Sequence, residues 1–216
     1  MEYRAVYTGD IVNSRKLDAS ERKKMLDVLH FQSEKLKSSN PESSFEINRG
    51  DAFQAIVQSN IQDILREVLK LRVYLKSTEV SFGSLDMRCG IGIGPVEYPG
   101  KTLAETDGTA FRMAGEALDN MPAQKKIAIQ TTDTEINAEL DVAMTLLEAI
   151  ISRWTNTMAE VIYYTLEGMT QTAIGEKLGI NQSAVNHRLR LAKYEVIPPV
   201  LKRFENLITK LTSKAE

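Results

Sequence analysis

Gly9-Asp10 and Gly50-Asp51 are the residues best suited to chemistry in this sequence. The run Tyr3 to Tyr7 alternates ahead of the first pair and reads as a strand. Arg49-Gly50-Asp51 separates two β-prone runs, Phe45–Asn48 and Ala52–Gln58, which is a hairpin signal. With those strands adjacent in one sheet, Asp10 and Asp51 meet at one edge. Two neighbouring carboxylates repel unless a hard divalent cation neutralises them, and Mg²⁺ typically takes one or two carboxylates plus phosphate oxygens. A Mg²⁺ or Mn²⁺ site at Asp10 and Asp51 is therefore expected. The backbone from Ile11 through Asn13 and Ser14 precedes a helix and could turn amide hydrogens toward a triphosphate, with Arg15 adding charge. The competing reading is that both aspartates merely satisfy turn backbone.

A second constellation lies near the C-terminus. Thr170 is a good N-cap for the short helical run Gln171–Leu178, Gly179 suits a left-handed turn, and Asn181 caps a second run, Gln182–Tyr194. Ala173, Ile174, Leu178, Ile180, Val185 and Leu189 make one compact core, with helix-turn-helix spacing. The remaining face carries Gln182, Ser183, Asn186, His187 and Arg190, flanked by Arg188 and Lys193, and Gln182–Lys193 contains no acid. Amides and hydroxyls read base edges while Lys and Arg hold phosphates, so double-stranded DNA is the expected partner. A packing or protein-interaction module that touches no DNA stays open beside it.

Around these sites the order of elements is β-α-β-β-α-β, with helices over Ser20–Leu36 and Ile61–Leu75 and a buried strand over Met87–Ile93. That is the ferredoxin-like arrangement, with both helices on one face of an antiparallel sheet. A helix at Thr109–Asp119 and a strand at Ile127–Gln130 follow. The fold class is α+β: a sheet domain over residues 1–133, a connecting helix within 134–156, and an all-α helix-turn-helix domain over 157–216. Gly90-Ile91-Gly92-Ile93-Gly94 lies inside a strand pattern, so it fails the context of a dinucleotide-binding loop. Met158, Tyr163, Tyr164 and Met169 read as core and interdomain packing. The stripe Leu201, Phe204, Leu207, Ile208 and Leu211 is either a cap or a dimer seam; the seam, and with it a homodimer, is favoured.

The 216 residues carry a net charge of -2, so the whole chain is no polycation. From Gly168 to Phe204, however, Lys177, Arg188, Arg190, Lys193, Lys202 and Arg203 face only Glu176 and Glu195. Such asymmetry suits a local nucleic-acid footprint. Cys89 is the one cysteine, the N-terminus has no signal-peptide pattern, and no apolar run is long enough for a membrane span, so a cytoplasmic location is expected.

Two resemblances sharpen these readings. Glu167-Gly168-Met169-Thr170, Ile174-Gly175, Leu178-Gly179-Ile180, Val185, Arg188-Leu189 and Ala192 resemble the region-4 helix-turn-helix of sigma factors and of related response regulators. Gly175 and Asn181 are mild departures from that pattern. Gly9-Asp10-Ile11, Arg49-Gly50-Asp51-Ala52-Phe53 and the run Arg88–Val96 resemble the palm of class III nucleotidyl cyclases, and more closely the bacterial SatD-like proteins. The resemblance implies metal binding by Asp10 and Asp51. It also implies that Asp107 and Thr109 fall where cyclases contact the base. The cyclase asparagine and arginine positions are filled here by Phe111 and Gly115, with Arg112 one turn earlier. A missing transition-state arginine slows phosphoryl transfer by orders of magnitude. The reading taken is a DNA-binding transcriptional regulator whose palm-like domain senses a metal–nucleotide. A nucleotidyl cyclase or related nucleotidyltransferase is the alternative, with the balance tilted away from catalysis.

Overall fold

The computed structural model describes residues 3–48, 50–98, 100 and 103–213; Arg49 of the hairpin signal lies outside them. A five-stranded sheet runs in the order β2 (Ser44–Asn48), β3 (Ala52–Val57), β1 (Tyr3–Ile11), β6 (Met87–Pro95), β7 (Ile127–Thr131). β1 is antiparallel to both β3 and β6, and β7 is parallel to β6. Helix α1 (Ala19–Ser39) joins β1 to β2, and α2 (Ile64–Ser77) follows β3. This is the expected βαββαβ order, enlarged by a small hairpin of β4 (Glu79–Val80) and β5 (Gly83–Ser84). Helix α3 (Thr109–Asp119) makes the crossover that the parallel β6–β7 pair requires.

Strand alternation sorts the layers. Ala5, Tyr7 and Ile11, Phe53, Ala55 and Val57, and Cys89, Ile91 and Ile93 share one core with Met25 and Leu29 of α1 and Ile64, Leu65, Val68 and Leu69 of α2. The residues between them point the other way. Val6 and Ile56 join Leu103, Ala110 and Ala114 in a second, smaller core. Thus α1 and α2 cover one face, as expected, and α3 covers the other.

Five further helices complete the chain: α4 (Thr134–Ile151), α5 (Asn156–Leu166), α6 (Gln171–Leu178), α7 (Gln182–Leu191) and α8 (Ile197–Ser213). Their buried residues belong to the same core cluster as the sheet and its helices α1 and α2. Tyr163 of α5 stacks on Tyr74 of α2 at 4.6 Å, and its hydroxyl accepts from Gln32 of α1 at 3.3 Å. Glu167 accepts ion pairs from Lys35 at 2.6 Å and Lys70 at 3.1 Å. Leu201, Phe204, Leu207, Ile208 and Leu211 of α8 are all buried inside the chain, against α4, α2 and the turn at 61–63. The dimer seam favoured for this stripe is therefore corrected: periodicity shows that a face is covered, and here the same chain covers it. Among the described residues no helix is long and apolar enough to cross a membrane.

Candidate functional site

Asp10 is the penultimate residue of β1, opposite Ala52 of β3 and Arg88 of β6, and Asp51 immediately precedes β3. The two aspartates are brought to the same end of the sheet, as their spacing implied. Gly9 has a packing reason: a Cβ there would stand 2.3 Å from the Arg88 carbonyl oxygen and 2.6 Å from the Phe53 ring. Gly50 has φ 82°, the left-handed conformation that a short hairpin loop needs. The Ser14 hydroxyl donates to Asp51, and Arg88 stands 4.0 Å from Asp10. Burial pushes the Asp10 carboxyl above its ordinary range; Arg88 and Lys126 pull it down, while the charge of Asp51 adds to the rise. The carboxylates thus interact electrostatically and unfavourably.

The phosphate-facing loop differs from expectation. Ile11 buries its side chain in the core, its N–H donates to the Asp51 carbonyl at 3.1 Å, and the Val12 N–H donates to the Asp86 carbonyl at 2.9 Å. Ile11 is therefore withdrawn from the set of nucleotide contacts. Asn13 is exposed with φ 59°, Ser14 is committed to Asp51, and Arg15 is exposed on the 3-10 turn at 14–16.

Asp107 and Thr109 are not brought to this end. Thr109 opens α3 over Gly94, six residues along β6 from Arg88, or roughly 20 Å away at about 3.3 Å per residue. There Glu97 accepts from the Thr109 N–H at 2.7 Å and from its hydroxyl at 2.6 Å. Arg112 donates to Asp107 at 3.3 Å and to the Thr109 hydroxyl at 3.1 Å. Within one chain, then, Asp10 and Asp51 stand at one end of the sheet and Asp107 and Thr109 at the other.

The C-terminal helices keep the local chemistry read from the sequence. Thr170 accepts from the Ala173 N–H at 3.2 Å, Asn181 accepts from the Ala184 N–H at 2.8 Å, and Gly179 has φ 65°. Gly175 lets the turn close, since a Cβ there would lie 2.7 Å from the Ile180 carbonyl oxygen. Val185 and Leu189 are buried, whereas Gln182, Ser183, Asn186, His187, Arg190 and Lys193 are exposed. Arg188 is half-buried, its guanidinium 3.5 Å from the Thr157 carbonyl. Lys202 and Arg203 are paired with Glu205 and Glu139, so they do not extend this cationic face.

A family model described as the SatD family matches residues 3–198. The chain belongs to the SatD family. No curated protein matches it by sequence. Solved structures similar to it include the monomeric guanylyl cyclase domain of the RhoGC fusion protein from the aquatic fungus Blastocladiella emersonii, 18% identical, covering 60% of this chain and 81% of that one, with a TM-score of 0.47. The catalytic core of a rhodopsin-guanylyl cyclase with converted specificity, in complex with ATPαS, is 19% identical over 59% of this chain and 76% of that one, TM-score 0.46. The GGDEF domain of DgcB from Caulobacter crescentus, in complex with c-di-GMP, is 11% identical over 60% and 77%, TM-score 0.45.

In this SatD-family chain the cations around Asp10 and Asp51 were only partly visible beforehand. Arg88 appears in the quoted strand motif, yet its closeness to Asp10 follows only from β1–β6 register. Arg22 of α1 reaches the Ser14 carbonyl at 3.4 Å and lies beside Gly50, and Lys126 acts on Asp10 from the turn before β7. Among the described residues no three His, Cys, Asp or Glu gather as a metal cluster. A pair of carboxylates is nonetheless the donor set that Mg²⁺ takes when phosphate oxygens complete the shell. Cys89 is fully buried, and burial pushes its thiol well above the ordinary range, which leaves it unreactive.

Proposed function

We propose that the sheet domain binds a nucleoside triphosphate together with Mg²⁺ or Mn²⁺ at the Asp10–Asp51 end. The observation that supports it is the convergence of these carboxylates with Arg88, Arg22 and Lys126 around them. Burial is the main cause of the rise at Asp10 and the charge of Asp51 adds to it; a cation between the aspartates would offset both, and would polarise phosphoryl oxygens. Guanidinium groups suit those oxygens. Because Asp107, Thr109 and Arg112 lie at the far end, one chain holds only the cation–phosphate half. Cyclase-type transfer would need the far end of a second chain.

Thermal unfolding of the whole chain with each of the four NTPs and either cation tests this. Stabilisation of about 2.7 kcal/mol is expected at a hundredfold excess over Kd. It disappears without the cation and in Asp10→Asn or Asp51→Asn. Identical melting with and without every nucleotide–cation pair sinks the proposal. Pyrophosphate release from the same mixtures separates transfer from sensing.

A second, compatible reading rests on the open face of α7: α6 and α7 form a helix-turn-helix that binds double-stranded DNA, making the protein a regulator that couples nucleotide state to transcription. The polar residues of this face are exposed rather than covered by the sheet domain. Anisotropy titrations of genomic duplex fragments at several salt concentrations test the DNA reading. Each phosphate contact contributes about 0.9 to the log–log salt slope, so Arg188→Ala with Arg190→Ala is expected to flatten it by about 1.8. A double variant with unchanged affinity and slope removes the reading.

A further inference from the structure

We infer that α4 is the seam of a two-fold homodimer, in which two copies pack antiparallel along its outer face. The inner face of α4 buries Ile136, Leu140, Met144, Leu147 and Ile151. The outer face leaves Val142 60% and Leu146 65% exposed, the most exposed aliphatic side chains among the large hydrophobics described. At roughly 100° per residue, Glu135, Ala138, Val142, Leu146 and Ala149 fall along one stripe of α4, and Arg153 follows in the turn just past its C-cap, Ser152. All six are exposed.

Charge selects the occupant. The acids flanking the stripe are already neutralised inside the chain, Glu139 by Arg203 at 2.6 Å and Asp141 by Lys125. That leaves an uncharged centre with an acid, Glu135, at one end and a base, Arg153, at the other. Neither has an ion pair among the described residues. A two-fold axis beside residue 144 sets Val142 against Leu146 of the second copy, and by the same symmetry sets Glu135 against its Arg153. One stripe is thus its own complement, which an isologous interface requires. Ala138 and Ala149 are small enough to let the helices approach, and a shallow crossing near 20° keeps both ends in reach. The inference does not rest on the nucleotide or the DNA reading, and it replaces α8 as the seam.

A single-helix seam is at the small end of specific interfaces, so a dimer dissociating in the micromolar range is expected. Sedimentation equilibrium of the full chain measures it. Leu146→Glu is expected to weaken association by at least about tenfold. Glu135→Arg alone and Arg153→Glu alone each set like charges together and weaken it; the two combined restore it. Circular dichroism confirms that these surface variants fold. A wild-type chain that stays monomeric at about 100 µM overturns the inference. So does association indifferent to Leu146→Glu, or a combined swap no better than either half.

Discussion

Replacing Arg72 with alanine is expected to destabilise the protein by about 3–5 kcal/mol, the usual range when one side of a buried ion pair is removed. Arg72 is 1% exposed in α2. Its Nε and Nη2 donate to Asp86 at 2.8 and 3.1 Å, and its Nη1 and Nη2 donate to Glu148 at 2.6 and 2.8 Å. One guanidinium therefore ties α2 to the entry of β6 and to α4, and without it two largely buried acids are left facing an apolar core. Burial alone would raise the Asp86 carboxyl. Arg72, Lys76 and the Met87 N–H outweigh burial and hold it below its ordinary range. A depressed carboxylate contributes stability that is full above its unfolded value, near 3.9, and is lost as pH falls through the lower folded value. Wild type and Arg72→Ala are thus expected to differ most at neutral pH and to converge in strong acid. Urea unfolding at pH 7 and at about pH 3 checks both statements. A neutral-pH difference under about 1 kcal/mol, or one that widens on acidification, contradicts the account. Removing all four charges of the cluster, Arg72→Met and Lys76→Met with Asp86→Asn and Glu148→Gln, is expected to recover much of the loss, because the buried Lys76, 3.5 Å from Asp86, is then not left unpaired either.

None of that cluster was legible in the sequence. Arg72, Asp86 and Glu148 are far apart along the chain, and nothing local marks them as partners. What was legible is what short-range physics writes into neighbouring residues. Alternation at Tyr3–Tyr7, the buried run Met87–Ile93, Gly-Asp at the hairpin, and the caps Thr170 and Asn181 pointed to the order of the elements, the meeting of Asp10 with Asp51, and the bounds of α6 and the start of α7. Register was the harder link. Antiparallel pairing of β1 with β6 sends whatever follows Pro95 back to the Tyr3 end, so Asp107 and Thr109 had to land away from Asp10. The resemblance named Asp107 and Thr109 as a base contact without fixing their place, and strand direction sets them at the opposite end of the sheet from Asp10. The α8 stripe failed for a related reason: amphipathic spacing records that a face is buried and is silent about which surface buries it.

The same strand carries the second large effect. Gly92→Val is expected to destabilise the protein by about 3 kcal/mol or more, because overpacking against backbone finds no flexible side chain to yield. A Cβ at Gly92 would stand 2.1 Å from the Ala110 carbonyl oxygen and 2.5 Å from the Ala114 nitrogen, and one at Gly90 would stand 2.2 Å from the Ala114 oxygen. Alternate glycines on β6 are what allow α3 to lie directly on the sheet. Since a protein of this size shifts roughly 2–4 °C per kcal/mol, the melting temperature should fall by roughly 6–12 °C. Gly115, on α3 itself, is the control: nothing lies within 4 Å of its added Cβ, and Gly115→Ala should stabilise by up to about 1 kcal/mol through helix propensity. The displacement also reaches the candidate site. Arg88 donates to the Leu118 carbonyl at 3.0 Å and the Met121 carbonyl at 3.5 Å, at the C-terminal end of α3, while standing 4.0 Å from Asp10. Shifting α3 frees that guanidinium from its carbonyl anchors, so the nucleotide–cation stabilisation should weaken in Gly92→Val and persist in Gly115→Ala. A Gly92→Val protein that melts like wild type would show that α3 does not rest on β6 as described, and the positioning of Arg88 beside Asp10 would lose its support with it.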